Sequence, residues 1–466
     1  MIKNLLKNSA IYGLAPQLPR IAGIFCLPII TRHLTKIDFG VYSLVSAVVG
    51  GLAVFAHLGL NVILSNSYYK NPMRYTFVWR QIYGFLILWN IPFSILLAVF
   101  IYSFIPDDAA GNTFYILVLN VLPVVFFGPA TIIGSLYYQL RQQPVQVAWR
   151  SITSGMISVG LNLYFIAGLE MGYMGWFLSV CISQMLLQLS YFISLTRVSG
   201  LTPIFNFKRR SIIHHLKISL PVIPHYYGSY LLDTSDRFIM KIVHIPIGDI
   251  GMYNVAYTIG NFVQAAGIAA GQAVSPMLLA SYKESDAVRA RQLVFLLQIM
   301  FLGACFVVSL WMKEVFEVLI KNEQLRHVYP SAIIIAMAYS YRPMYLGANN
   351  RLFYIEKTQS LLKITFIAGI LNVILNLIFL KIYGYKAAAF TTYAGLMYMG
   401  YSGYFLKTYK TYANLPYYPL LWLLATLMLT VLAYFAVELP VVFKLVLSGL
   451  AVFTSFFLVQ RIERIL

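Results

Sequence analysis

The feature that most constrains the fold is a succession of apolar segments, each about as long as a bilayer is thick. A hydrocarbon core of about 30 Å needs roughly 20 mostly apolar residues in one helix. Within lipid, every backbone polar group must find a partner inside the protein, which favours helices. The sequence therefore predicts an all-α polytopic membrane protein with about 14 transmembrane helices. The predicted spans are 9–31, 40–64, 81–104, 113–138, 147–168, 173–195, 217–243, 251–280, 292–312, 329–349, 361–381, 385–406, 417–437 and 440–460.

Composition agrees with this prediction and narrows the chemistry. Of 466 residues, 60% are hydrophobic and only 11% are charged, well outside the usual balance of a soluble domain. The three cysteines, Cys26, Cys181 and Cys305, stand singly in apolar runs and lack metal-ligand or redox spacing. We therefore predict no metal site and no cofactor. The amino-terminal segment has no signal-peptide cleavage pattern, and we expect it to be retained as the first span.

Prolines interrupt several of the predicted spans. Pro16 and Pro19 fall in the first span, and Pro221 and Pro224 fall in the seventh. A proline frees backbone groups that neighbouring helices or water must satisfy. We therefore expect broken helices beside a cavity.

The distribution of charge predicts the orientation. The side that holds the amino terminus carries about twice as many Lys and Arg residues as the other, and such an excess marks the cytoplasmic side. Both termini are then cytoplasmic. These basic loops account for most of the net charge of +19, so the charge indicates no nucleic-acid partner. They would attract anionic bilayer lipids.

An internal repeat divides the chain. The segment "LKNSAIYGLAP" at Leu6 resembles "LKISLPVIPHYYG" at Leu216, and "KIDFGVYSLV" at Lys36 resembles "IGDIGMYNVA" at Ile247, at an offset of about 211 residues. The copies are six spans apart and so share one orientation. We predict two pseudo-symmetric six-helix lobes around a central cationic cavity, followed by two helices. The predicted domains are 1–196, a basic cytoplasmic linker 197–216, 217–410 and a two-helix extension 411–466.

This organisation, with "SDRFIM" in the seventh span and "IGDIGMYNVAY" after it, resembles the polysaccharide-flippase branch of the multidrug/oligosaccharidyl-lipid/polysaccharide exporter superfamily. The resemblance covers nearly the whole chain. It implies a protein of the bacterial inner membrane that moves an undecaprenyl-diphosphate-linked oligosaccharide, such as an O-antigen unit, from the cytoplasmic to the periplasmic leaflet by ion-coupled alternating access. Other polysaccharide-assembly proteins are then candidate partners.

Three arginines lie in apolar context and are candidate ligands of a diphosphate. Arg20, Arg237 and Arg342 fall in the first, seventh and tenth spans, and each would cost about 2.5–3.5 kcal/mol if it faced lipid at the bilayer centre. Arginine suits phosphate because its planar fork offers paired donors. Lys241 is a fourth candidate for the same cavity, although snorkelling to the interface explains it as well.

Each candidate also has a structural explanation. Arg237 lies four residues after Asp233, so the two side chains can form an ion pair on one helix face. Arg342 precedes a proline and can cap carbonyl groups freed at a kink. Asp233 and Asp236 are counter-charges or binding groups for a coupling ion, H⁺ or Na⁺.

His57, His225 and Asn61 are further polar groups within predicted spans. A lone intramembrane histidine is more often a hydrogen-bonded core residue than a proton relay. His225, beside a proline, is the better relay candidate.

Enzymatic alternatives find little support. No P-loop, GxSxG or HExxH motif occurs, so we predict no catalytic residues. Two alternatives to the polysaccharide flippase stay open. One is a lipid II or drug exporter of the same superfamily, and the other is a polytopic polysaccharide polymerase or glycosyltransferase.

Overall fold

The structure is a computed structural model that describes residues 15–70, 72–412 and 415–463, without the side chains of residues 225, 226, 229, 358, 462 and 463. Within these ranges all regular secondary structure is helical, which confirms the all-α prediction. The chain forms two compact units, Met1–Tyr230 (unit 1) and Leu231–Leu466 (unit 2). The boundary falls inside the predicted seventh span. The predicted domain limits stay predictions.

Unit 1 is built from helices that match the first six predicted spans, together with a short amphipathic helix after them. Its helices are α1 (Gln17–His33), α2 (Lys36–Leu52), α3 (Asn61–Lys70), α4 (Tyr75–Phe104), α5 (Thr113–Leu140), α6 (Pro144–Asn162), α7 (Tyr173–Ile193) and α8 (Arg209–Ser219), and the next helix, α9 (Ile223–Asp233), contains the unit boundary.

Local signals set the limits of the second span. Thr35 and Asp38 form a reciprocal capping box at the start of α2. A 3-10 turn follows α2, and the chain then passes through Gly59, whose φ is +68°. A side chain there would meet the carbonyl oxygen of Ser219 at 2.6 Å, so glycine is required for this close approach. The predicted span 40–64 is therefore two helices and a bend.

Aromatic side chains form the core of unit 1. Trp79, Tyr83, Tyr137 and Tyr191 are buried in one cluster between α4, α5 and α7. The Trp79 indole donates to the carbonyl oxygen of Leu64 at 3.0 Å, which satisfies its N–H inside apolar surroundings.

Unit 2 repeats the pattern of long helices and adds a carboxy-terminal pair. Its helices are α10 (Ser235–Ile242), α11 (Ile247–Lys283), α12 (Ala287–Leu310), α13 (Met312–Leu319), α14 (Glu323–Arg326), α15 (Tyr329–Ala338), α16 (Arg342–Tyr354), α17 (Thr358–Tyr383), α18 (Ala387–Tyr401), α19 (Lys407–Tyr412), α20 (Pro419–Ala436) and α21 (Val441–Glu463).

The centre of unit 2 is α15, in which residues 331–338 are all buried. It packs against α11 and α18. The last two helices pack against α12. At one end of this hairpin the buried Lys444 ammonium meets the Glu314 carboxylate at 2.5 Å, which fastens α21 to the rest of the unit.

Ten helical runs in the described residues are long and apolar enough to cross a membrane, and one of them, Gln359–Phe405, contains two predicted spans. The remaining predicted spans, 9–31, 217–243 and 329–349, are also helical over their described parts. The seventh is not one helix, because it breaks at the 3-10 turn Leu220–Val222 and again at Thr234. The tenth breaks at the 3-10 turn Tyr339–Tyr341. Proline at or just after each 3-10 turn is a physical reason for these breaks.

Candidate functional site

The break at Thr234 positions the charged residues of the seventh span. Thr234 has φ −137° and ψ −24°, outside the helical region, so α9 ends at Asp233 and α10 begins at Ser235. The last carbonyl groups of α9 therefore lack helical partners. The Ser235 hydroxyl donates to the carbonyl oxygen of Leu231 at 2.6 Å, and Arg237 Nη1 donates to that of Asp233 at 2.7 Å. Arg237 thus caps a helix end that carries partial negative charge.

Arg237 is held by π faces and neutral oxygens. Its side chain is 4% exposed, and the guanidinium carbon lies 4.0 Å from the ring centroid of Tyr257 and 5.2 Å from that of Tyr253. Nη2 reaches Asn254 Oδ1 at 3.4 Å. Among the ion pairs that the described residues form, none joins Arg237 to the Asp233 carboxylate. The predicted ion pair between the two side chains is therefore not formed, and Arg237 bonds instead to the main-chain carbonyl oxygen of Asp233.

Asp236 is fully buried and accepts four hydrogen bonds. Oδ1 accepts from the side-chain amides of Asn372 and Asn376, and Oδ2 accepts from the hydroxyls of Tyr253 and Thr392, at 2.5 to 2.9 Å. These four donors satisfy the hydrogen-bonding capacity of the buried carboxylate. We call Asp236 and these four partners the Asp236 cage.

The cage depends on two residues four apart on α17. Asn376 donates to Asn372 Oδ1 at 3.1 Å, and Thr391 donates to Asn376 Oδ1 at 2.6 Å. Residues at i and i+4 share one helix face. The spacing of the two asparagines in "ILNVILNL" is visible in the sequence, and it is the signal that could have identified them.

Asp233 and Arg342 extend the polar region. The Tyr257 hydroxyl lies 3.5 Å from Asp233 Oδ1, and Asp233 interacts electrostatically with Arg342 as well as with Arg237. Arg342 Nε is buried and has no hydrogen-bond partner among the described residues. Arg342 is the first residue of α16 and directly follows the 3-10 turn Tyr339–Tyr341. Its role as a cap of carbonyl groups at this kink stays a prediction.

The other predicted site residues take no part in the contacts described above. Arg20 is exposed on α1 and donates to Gln17 Oε1 at 3.3 Å. His57 follows the 3-10 turn after α2, and its Nδ1 accepts from the Gly59 N–H at 3.2 Å. Lys241 is half-buried near the end of α10. The side chain of His225 lies outside the described residues.

The described residues contain no cluster of three or more His, Cys, Asp or Glu side chains that could hold a metal ion. In the cage both amides turn their nitrogen atoms to the carboxylate, and their oxygen atoms accept from Asn376 and Thr391. The carboxylate and the two hydroxyls contribute hard oxygen atoms, which suit a hard cation. Together, the fold and the buried charges define a polytopic all-α membrane protein with a polar, charged interior in unit 2.

The sequence profile of the polysaccharide biosynthesis protein family matches residues 5–282. The chain belongs to this family. No curated protein sequence matches it.

Solved structures with the same fold include several membrane transporters. The lipid II flippase MurJ, in an inward closed conformation, matches with a TM-score of 0.67 and 14% identity over 92% of this chain and 97% of that one. An inward-facing multidrug resistance MATE transporter of the MOP superfamily matches with a TM-score of 0.59 and 14% identity, over 90% of this chain and 96% of that one. The Vibrio cholerae MATE transporter VcmN matches with a TM-score of 0.57 and 11% identity, over 88% of this chain and 96% of that one. At such identities the likeness defines the fold alone.

Proposed function

We propose that the protein translocates an undecaprenyl-diphosphate-linked oligosaccharide, such as an O-antigen unit, from the cytoplasmic to the periplasmic leaflet of a bacterial inner membrane. The family match, the fold shared with the lipid II flippase MurJ and the charge distribution of the loops support this proposal. The observation that carries it is a pair of arginines in unit 2, the buried Arg237 and the half-buried Arg342. A diphosphate needs cations along its path, and Arg342 Nε has no hydrogen-bond partner among the described residues.

The aromatic hydroxyls around these arginines suit the sugar part of the substrate. Tyr339 donates to Asn261 Oδ1 at 3.1 Å and lies 3.2 Å from the Tyr257 hydroxyl. A hydroxyl-rich headgroup can replace these hydrogen bonds with bonds of its own. The free-energy cost is small, because the polar groups have partners both with and without the headgroup.

The Asp236 cage is the proposed site of the coupling ion, Na⁺ or H⁺. Asp236 now accepts from both asparagine amides, and rotating each amide by half a turn would present oxygen instead of nitrogen. The cage would then offer carboxylate, amide and hydroxyl oxygens to Na⁺. Protonation of Asp236 would instead turn one carboxylate oxygen into a donor, so the groups that donate to that oxygen would have to rearrange. Either event changes how α10, α17 and α18 are joined, which is the local step that alternating access requires.

A deletion strain tests the substrate. We expect it to accumulate the lipid-linked oligosaccharide on the cytoplasmic side and to lose surface polysaccharide, and the wild-type gene should restore both. Accumulation of an unpolymerised unit on the periplasmic side would contradict translocation and favour a polymerase.

Cysteine labelling tests the orientation. We expect introduced cysteines in Phe205–His215 to be protected from an impermeant reagent in intact cells, and those in Asp107–Asn112 to react. The reverse pattern would contradict the assignment of both termini to the cytoplasm.

A further inference from the structure

A second polar cavity lies in unit 2, apart from the charge cluster. It has a volume of about 200 Å³ and lies where the ends of α11 and α16 meet α19 and the segment before α20. We call it the Tyr–Arg pocket. The lining residues used below are Ser281, Tyr282, Arg351, Tyr409 and Tyr417.

The pocket combines one cation with several hydroxyl groups. The Arg351 guanidinium lies 5.0 Å from the ring centroid of Tyr282, and its charge acts on the hydroxyls of Tyr282, Tyr409 and Tyr417. These three tyrosines are at most 8% exposed. None of the described residues that line the pocket is acidic. A partly buried cation without a carboxylate beside it is suited to an external anion.

Arg351 retains unused donors. Nη2 donates to the carbonyl oxygen of Tyr412 at 2.7 Å, and the described residues provide no hydrogen-bond partner for Nε or Nη1. A second guanidinium, that of Arg291, also acts electrostatically on Tyr417. An anchored guanidinium with a free edge matches the paired oxygens of a phosphate.

The pocket lies near the end of a helix that is longer than the membrane is thick. Helix α11 has 37 residues and is therefore about 55 Å long, against a hydrocarbon core of about 30 Å. Tyr282 is the last residue but one of this helix. A helix of this length extends past the hydrocarbon core into the headgroup layer, where phosphate groups are concentrated, and the pocket lies at one of its two ends.

We propose that the Tyr–Arg pocket binds a phosphate or diphosphate group, supplied either by a membrane lipid headgroup or by a soluble diphosphate. Arg351 and the hydroxyl of Tyr417 would be its main ligands. This inference goes beyond translocation, because it concerns binding at a second place and can be tested without any transport assay.

Binding to the purified full-length protein tests the proposal. The probes are inorganic pyrophosphate, measured by calorimetry, and phosphatidic acid, measured by its retention during native mass spectrometry against phosphatidylcholine. We expect Arg351→Gln to lower the affinity for the probe that binds by about tenfold or more, since it removes a charged donor. Tyr417→Phe keeps the ring but loses the hydroxyl, and it should lower the affinity for the same probe by about threefold.

Arg289→Gln is the matched control, because Arg289 is exposed, lies outside the pocket and bonds to Glu284 at 3.4 Å. It should bind like the wild type. Pyrophosphate binding that depends on Arg351 assigns the site to a soluble diphosphate, and phosphatidic acid retention that depends on Arg351 assigns it to a lipid. If neither probe binds, or if both pocket variants bind like the wild type, the proposal is wrong. Tyr417→Phe keeps the test valid should Arg351→Gln fail to fold.

Discussion

Each unit buries an arginine among aromatic rings, yet the two arginines have different neighbours. In unit 1, Arg150 lies 4.8 to 5.1 Å from the ring centroids of Trp149, Tyr138 and Tyr191. Its Nη1 donates to the main-chain and side-chain oxygens of Gln146 at 2.7 and 2.9 Å, and its Nε donates to Ser190 Oγ at 2.9 Å. Neutral groups therefore satisfy this cation locally.

In unit 2, Arg237 has one short hydrogen bond, to a carbonyl at a helix break, and two acids, Asp233 and Asp236, near it. Burial alone therefore does not distinguish a functional arginine from a structural one. Arg150, which contacts only neutral groups among the described residues, is expected to stabilise the fold. Arg237 instead lies near the buried carboxylate of Asp236 and the half-buried carboxylate of Asp233, so its surroundings carry charge that those of Arg150 lack.

The largest effect is expected at Asp236. Asp236→Asn replaces an acceptor oxygen with an amino group that faces other donors, so transport should fall to background and stability should drop by about 1–3 kcal/mol. Complementation of surface polysaccharide, with membrane levels measured alongside, checks this. Asp286→Asn is the control, because asparagine keeps the helix cap that Asp286 provides to Arg289. A well-expressed, fully active Asp236→Asn variant would show that transport does not require the Asp236 cage.

The second effect concerns the geometry of Arg237. Arg237→Lys retains the charge but loses the planar fork and most of the contact with Tyr257, so transport should fall by roughly tenfold. Arg237→Ala should fall further. The double variant Asp233→Asn with Arg237→Gln should stay inactive, since the diphosphate would lose its cation. Activity of a well-expressed double variant would show that Arg237 only neutralises Asp233.

Unit 1 should respond differently. Arg150→Gln removes the cation–π contacts with three rings and three hydrogen bonds, so the free energy of unfolding should fall by about 2 kcal/mol. Transport per folded molecule should change less than it does in Arg237→Lys. Fluorescence-detected thermal unfolding in detergent measures the first quantity, and complementation corrected for membrane level measures the second. A larger transport defect at Arg150 than at Arg237 would reverse the comparison.

The smallest effect is expected at an exposed ion pair of unit 2. Lys313 Nζ lies 2.6 Å from Glu438 Oε2, and the Tyr329 hydroxyl also donates to Glu438. The bonds from Lys313 and then Tyr329 lower the pKa of Glu438 below its ordinary 4.5. The pair therefore stabilises the fold above that ordinary pKa, and its contribution is lost as pH falls through the lower pKa of the folded state. Because the pair is solvated, it should contribute at most about 1 kcal/mol. Thermal unfolding of Glu438→Gln across pH 3–6 should show a weaker pH dependence than the wild type, and an unchanged profile would contradict this.

Hydropathy by itself determined the class of protein and most helix positions. Hydropathy is summed residue by residue along the chain, so spans such as 113–138 could be predicted without any contact information. This span appears as α5. Arg237 and Asp236 could be identified as unusual for the same reason, since a charge in an apolar run is visible without any contact information. The prolines of the seventh span indicated that it would break.

Tertiary structure alone decided which groups meet. Asn372, Asn376 and Thr392 are more than 130 residues from Asp236, and their contact depends on how α17 and α18 are rotated and aligned against α10. Arg150 falls inside the predicted span 147–168 but is not among the arginines that the sequence singles out, and the structure buries it between α6 and α7. A hydropathy sum contains no information on helix rotation, because rotation is set by the fit of side chains between helices. For that reason the sequence could find the charges, and only the fold could show which of them are satisfied.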